Sequence, residues 1–371
     1  MSTIVVGGAL ANKAGSGGEA WVRLSWIRGL QQLGHDVWFI EQIDHPSPEQ
    51  LAFFDGVVAS FGLADRACLI ENDHALRGPD IDALMAVATA STLVNISGHV
   101  DSPLLFPRFR ARIYVDIDPG FTQSWFADGI TGSHLVGHDH HFTIAEGLGC
   151  ADCPIPDCGL LWKTVRQPVV LDDWPLTKAP GLRSFTTVGS WRGPFGPVTI
   201  DGRTFGLKVH EFRRFIELPT ASHQRFELAL AIHDADRGDR DKLIANQWHL
   251  VDPGEAAGDP DRFRRYVQGS AAEFSVAQGV YVGTNSGWFS DRTVRYLASG
   301  RPALVQDTGF SRTLPTGKGL VAFSSMEDSV SGADLIMTDY EEHAVAARQL
   351  AVDHFEAGRV LARFCEQAGI S

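Results

Sequence analysis

Residues 279–310 read GVYVGTNSGWFSDRTVRYLASGRPALVQDTGF, and the order of signals within them decides the fold. The apolar run 279–284 predicts a buried strand ending at a polar, glycine-containing turn. Helical spacing follows over 291–298, Ser299-Gly300 stops the helix, and 303–306 is the next strand. Strand, turn, helix and strand at this spacing make one unit of a parallel sheet, which binds ligands beyond the carboxyl ends of its strands. Asn285, Ser286, Gly287, Trp288, Phe289 and Ser290 are expected at such an end. Unpaired N–H groups at the helix start favour an anion, and Arg292 adds charge on the first turn. Arg295 lies three residues on, on the same face. Two guanidinium forks suit a diphosphate, although the same residues also fit a solvated basic face paired with Asp291.

Outward from this unit the pattern repeats. On the N-terminal side of it, SFTTVGSW, KVHEFRRFIEL, RFELALAI and HLVDP alternate in the same manner. The first third does so too: TIVVG reads as a strand, GEAWVRLSWIRGLQQLG as an amphipathic helix, HDVWFIEQI as a strand, with TLVNISG and ARIYVDID after them. Between the two series, prolines 154, 156, 168, 175 and 180 interrupt a stretch without periodicity. The expectation is α/β, with two Rossmann-like doubly wound domains facing across a cleft. Residues 1–165 form the first, 166–182 a linker, 183–345 the second, and 346–371 C-terminal helices returning to the first.

A chain of 371 residues is long enough for two cores. Its net charge is −13 and no Lys/Arg block is dense enough to follow a phosphate backbone, which disfavours general nucleic-acid binding. No apolar stretch approaches the ~20 residues of a membrane span, and MSTIVVGG lacks the basic-then-apolar layout of a signal peptide, so the cytoplasm is the expected location. Cys150, Cys153 and Cys158 cluster, but with two prolines among them and no second CxxC they read better as loop or packing cysteines than as metal ligands.

Near the start, Gly15, Gly17 and Ala20 match the G-x-G-x-x-A spacing of a dinucleotide fingerprint, and Glu41 lies about where a ribose-binding acid belongs. The first strand ends near Val6, however, so the match begins too late for the tight turn of that fingerprint. A mobile glycine loop over a cleft, with Gly15, Gly17 and Gly18 offering free N–H groups, is the better reading. Among His134, His138, His140 and His141, a metal set lacks a convincing third ligand. His138 or His140 is instead expected to face the cleft as a base or hydroxyl contact, because histidine titrates near neutral pH. Asp116 and Asp118 alternate at a strand end that Pro119 closes, which favours a cap or turn role over acid–base work.

The stretch 286–305 resembles the donor-nucleotide motif of GT-B glycosyltransferases, and SDRTVRYLASG is most similar to the spore-maturation-type branch. The matching residues are Gly287, Phe289, Ala298, Gly300, Pro302 and the run ALV. That family usually has a ribose-binding glutamate where this chain has Arg295. The resemblance implies a diphosphate held by Arg192 and Lys208, in TVGSWRG and GLKVHEF. It also implies a nucleoside pocket lined near His233 and QWHLVDP. It further implies a metal-independent enzyme without a cofactor. Such an enzyme would move a sugar from a nucleoside-diphosphate (UDP, GDP or dTDP) donor to a small-molecule or glycan acceptor. The alternatives are a sugar-nucleotide epimerase of the same fold and an NAD-dependent oxidoreductase.

Overall fold

The computed structural model describes residues 2–130, 134–177 and 184–370. Its first sheet comprises β1 (Thr3–Gly7), β2 (Asp36–Gln42), β3 (Ala67–Glu71), β4 (His74–Arg77), β5 (Thr92–Ile96), β6 (Ala111–Asp116), β7 (His140–Thr143) and β8 (Trp162–Thr164). They lie in the order β4-β3-β2-β1-β5-β6-β7-β8, all parallel except the β3–β4 pair. Ile4, Val5 and Val6 are all fully buried, the mark of a strand covered on both faces rather than one.

The second sheet comprises β9 (Phe185–Ser190), β12 (Phe226–Ala231), β13 (His249–Leu250), β14 (Ala272–Ser275), β15 (Ala303–Gln306) and β16 (Leu320–Phe323). An antiparallel hairpin, β10 (Val198–Ile200) and β11 (Arg203–Phe205), is inserted after β9. The order β13-β12-β9-β14-β15-β16 is parallel throughout. Connections reverse direction at β1 in one sheet and at β9 in the other, which opens a crevice at each carboxyl edge. The expected doubly wound architecture is present in both halves.

The run 279–284 corrects the sequence reading. It is a short helix, Gly279–Gly283, and the strand of this unit is β14, immediately upstream. The Val282 N–H donates to the Gln278 carbonyl and the Thr284 N–H to the Val280 carbonyl, at 3.2 and 3.1 Å, the i to i−4 bonds of a helix. An apolar run this short carries no period that separates helix from strand.

The halves are bound together by side chains from both. The helix Gly17–Gln32 buries most of its circumference. Trp26 meets Phe364 edge to face (5.0 Å), and Gly29 lies under Leu361 and Ala357 of the last helix, Ala357–Ala368. Trp21 donates its indole N–H to the Pro260 carbonyl of the second half (2.8 Å). The preceding helix, Tyr340–His354, packs on Asp291–Ala298 instead, so the chain crosses back at Phe355–Glu356. There the Val169 N–H donates to Phe355 and the Ala357 N–H to Val169, at 2.8 and 2.9 Å. Val169, Val170 and Trp174, inside the stretch read as a linker, are fully buried in the shared core. Residues 178–182 of that stretch, and 183, lie outside the described residues.

Candidate active site

The two carboxyl edges face each other across a cleft of about 520 Å³, within the ~300–1,000 Å³ range of small-ligand sites. On the first-domain side the chain leaves β1 and makes a turn of 3-10 helix, Ala11–Lys13, before the long helix begins. Glu41 of the neighbouring β2 is fully buried and accepts the Ala11 and Asn12 N–H groups at 2.6 and 2.8 Å. This carboxylate, at the place where a dinucleotide fold would have its ribose-binding acid, is committed to holding the loop. Gly17 and Gly18 do not form a free flap either. A Cβ at Gly17 would lie 2.0 Å from the Asp259 carbonyl oxygen, and one at Gly18 would lie 3.2 Å from the Phe263 ring. Both glycines are there for close approach of the second domain, whereas Gly15 has a φ of +79° and open space around it. Asn12, Lys13, Ser16 and Glu19 present their side chains to the cleft.

On the second-domain side, Arg292 ties the neighbouring strands β9 and β14 together. It donates to Glu273 Oε1 (2.6 Å), the Val188 carbonyl (2.8 Å) and Ser275 Oγ (2.7 Å). Ser290 caps the same helix by accepting the Arg292 N–H (3.2 Å). Beside it lies Lys208, 8% exposed, its ammonium facing the cleft near Gly189 and the Arg292 guanidinium. Among the described residues no hydrogen bond or ion pair engages that ammonium. Burial, reinforced by the charge of Arg292, pushes Lys208 down to about 7. Trp288 stacks face to face on Tyr281, centroids 4.3 Å apart, and both line the cleft.

The sequence-derived residues divide accordingly. Lys208, Trp288, Ser290, Arg292 and Gly18 line the cleft. Arg192 stands apart from it, half-exposed, donating through both sides of its guanidinium to Asp236 at 2.7 Å. His233 caps the adjacent turn by accepting the Ala235 N–H (3.1 Å). Ser286 and Gly287 form the junction between halves: the Gly147 N–H donates to the Ser286 carbonyl (2.8 Å), and a Cβ at Gly287 would lie 2.7 Å from the Gly147 nitrogen. Phe289 stacks on Phe355 (5.2 Å) within the core. Arg295 is wholly buried, pairing with Asp291 and reaching Ser25 of the first domain (3.2 Å). It is an interdomain strut and not part of an exposed arginine pair.

The two histidines expected in the cleft are elsewhere. His138 sits behind the sheet edge between Phe106 and Tyr114. Its Nδ1 donates to the Leu135 carbonyl (3.3 Å), and Nε2 accepts from the Asn95 amide (3.1 Å). Desolvation pushes it down to about 4, which keeps it neutral. His140 begins β7 and is also absent from the cleft wall. His99 and His134 line the cleft instead. Burial pushes His99 down to about 3, and His134 lies 3.1 Å from Asp101.

Asp116 and Asp118 differ sharply. Asp116 is fully buried and satisfied by Thr122 (3.0 Å), Gln123 and Thr143 (both 2.8 Å) and the Asp118 N–H (3.1 Å), the turn role expected of it. Asp118, for which the sequence also favoured a cap or turn role over acid–base work, lines the cleft. Cys150, Cys153 and Cys158 are free thiols.

No family model and no curated protein matches this chain. Solved structures do. An alpha-glucosyltransferase in complex with UDP superposes with a TM-score of 0.63 at 9% identity, over 100% of both chains. HepE of Anabaena, in complex with UDP and glucose, gives 0.63 at 10% identity, again over 100% of both. Sucrose-phosphate synthase from Thermosynechococcus elongatus gives 0.54 at 10% identity over 99% of both. The chain therefore has the GT-B fold. The likeness is to that fold at large and does not single out the spore-maturation branch.

Proposed function

We propose that the chain transfers a sugar from a nucleoside-diphosphate donor to a hydroxyl acceptor, with the diphosphate seated on Lys208. The observation that carries this reading is the lysine itself: a buried ammonium with no hydrogen bond or ion pair among the described residues, facing a cleft between two Rossmann-like domains. Placing it there opposes its own solvation, which makes sense only if an anion arrives to compensate it. Arg292 and the start of its helix add fixed positive potential, preorganised for charge that grows on the leaving diphosphate. Aromatic and polar groups from both domains line the site, which limits the water that reaches a bound donor.

Two of the structures of the same fold named above, the alpha-glucosyltransferase and HepE, hold UDP, the second with glucose as well, which supports a uridine nucleotide as the first donor to try. One further structure of the alpha-glucosyltransferase holds UDP-glucose and DNA. A duplex acceptor is disfavoured for this chain, whose net charge of −13 repels a phosphate backbone. A small-molecule or glycan acceptor fits better, no cofactor is required by this chemistry, and no described helix is long and apolar enough to cross a membrane. Neither alternative gains support: an oxidoreductase would need Glu41 free for a ribose, and an epimerase has no observation in its favour.

A thermal-shift series with UDP, GDP, dTDP and ADP tests the reading, since a ligand that binds only the native state raises the melting temperature by mass action. UDP is expected to give the largest shift, and Lys208→Met to abolish it while leaving the protein folded. An equal shift in Lys208→Met, or none with any nucleotide in the wild type, would contradict the donor site.

A further inference from the structure

Asp118 stands one residue before Pro119 at the carboxyl end of the first sheet, and its backbone is fixed. Its N–H donates to Asp116 Oδ1 (3.1 Å), and its carbonyl accepts the Phe121 and Thr122 N–H groups at 3.2 and 3.3 Å. Among the described residues its carboxylate has a single hydrogen-bond partner. The phenol of Tyr281, from the opposite domain, donates to Oδ1 at 3.3 Å. Tyr281 in turn is held by its stack on Trp288. A rigidly mounted carboxylate with one long hydrogen bond has acceptor capacity left over, and it faces the same cleft as Lys208.

The surroundings favour a proton-accepting role. Glu19 and Asp116 face Asp118 with like charge, Lys13 and the Tyr281 hydroxyl oppose them, and burial dominates, so its carboxyl is pushed up to about 7. A base is most effective when it titrates near the working pH. The ring of Trp125, 4.9 Å from Phe195 of the inserted segment, and the Thr122 side chain complete a wall beside it.

We propose that Asp118 takes the proton from the acceptor hydroxyl, and that Tyr281 positions it. The inference rests on the transferase reading. In the step, the acceptor O–H bond breaks and its proton passes to an Asp118 carboxylate oxygen. The oxygen's electron pair forms the bond to the sugar's anomeric carbon. The bond from that carbon to the β-phosphate oxygen breaks, and its pair remains on the diphosphate beside Lys208. Tyr281 reports across the cleft, so the base is in place only when both domains face it.

The test uses the full chain and UDP-glucose, with water as the acceptor, and reads UDP release against pH. The wild-type rate should rise through a limb near pH 7 as Asp118 ionises. Asp118→Asn should lower the plateau rate at least 100-fold and remove the limb, while the UDP-induced melting shift stays as in the wild type. Tyr281→Phe removes a hydrogen bond to the ionised form, so it should move the limb to higher pH and cost less than tenfold in rate. A purely structural aspartate would alter melting or UDP binding and leave the limb in place. The proposal is overturned if Asp118→Asn turns over within threefold of the wild type, or if the limb survives it. A wild type that neither binds UDP nor releases it from UDP-glucose would instead remove the transferase reading, and this inference with it.

Discussion

At the scale of single residues, charge state separates the side chains that hold this site from those free to act in it. Arg192, Arg292 and Arg295 each have a carboxylate partner, Asp236, Glu273 and Asp291 respectively. Lys208 has none among the described residues, and its depressed pKa gives a pH signature. In the free protein the ammonium is mostly deprotonated above about 7. A bound diphosphate stabilises the charged form, so binding at pH 8.5 must take up a proton. The net uptake should approach one proton in the wild type and vanish in Lys208→Met, read from the dependence of binding enthalpy on buffer ionisation. Affinity should fall as pH rises above 7; equal affinity at pH 7 and 9 would contradict the assignment. The sequence made every one of these arginines legible as a candidate, but not its partner. Asp236 lies 44 residues from Arg192 and Asn95 lies 43 residues from His138, so whether a cation or an imidazole is already satisfied depends on topology that no local pattern encodes.

At the scale of elements, the strands and the long helices were readable because their periods are long enough to count. TIVVG, DVWFIEQ and TLVNI each carry a buried apolar run between turn signals, and each is a strand. The helix Gly279–Gly283 was misread because five residues with a glycine at each end satisfy either template. The glycine stretch 15–18 was legible as special but not as to purpose. Gly17 permits the first turn of one domain's helix to touch the backbone at Asp259 of the other. Gly17→Ala forces a methyl into that backbone, and overpacking of this kind costs about 1–3 kcal/mol. Urea unfolding should show a loss of this size, and the UDP melting shift should shrink as the domains are held apart. Unchanged stability together with an unchanged shift would restore the view of residues 15–18 as a free flap.

At the scale of the molecule, two sheets each reverse their winding at a central strand, β1 and β9, and their carboxyl edges meet at one cleft. The alternation of strand and helix signals predicted that architecture without any alignment. What it could not give is how tightly the halves are joined. Trp21 to Pro260, Arg295 to Ser25, Gly147 to Ser286 and Tyr281 to Asp118 all cross between them. These contacts pair residues more than a hundred positions apart, so they emerge only once both domains are folded. Lys208 on one domain and the Asp118 carboxylate on the other are brought to a common cleft by that junction. In the proposed function a nucleoside diphosphate occupies this cleft with its phosphates on Lys208. A crystal structure of the full chain with UDP tests it most directly. A phosphate oxygen is expected within hydrogen-bonding distance of Lys208 Nζ, about 2.7–3.2 Å, beside the Arg292 helix start. UDP bound with its phosphates away from Lys208 would contradict it.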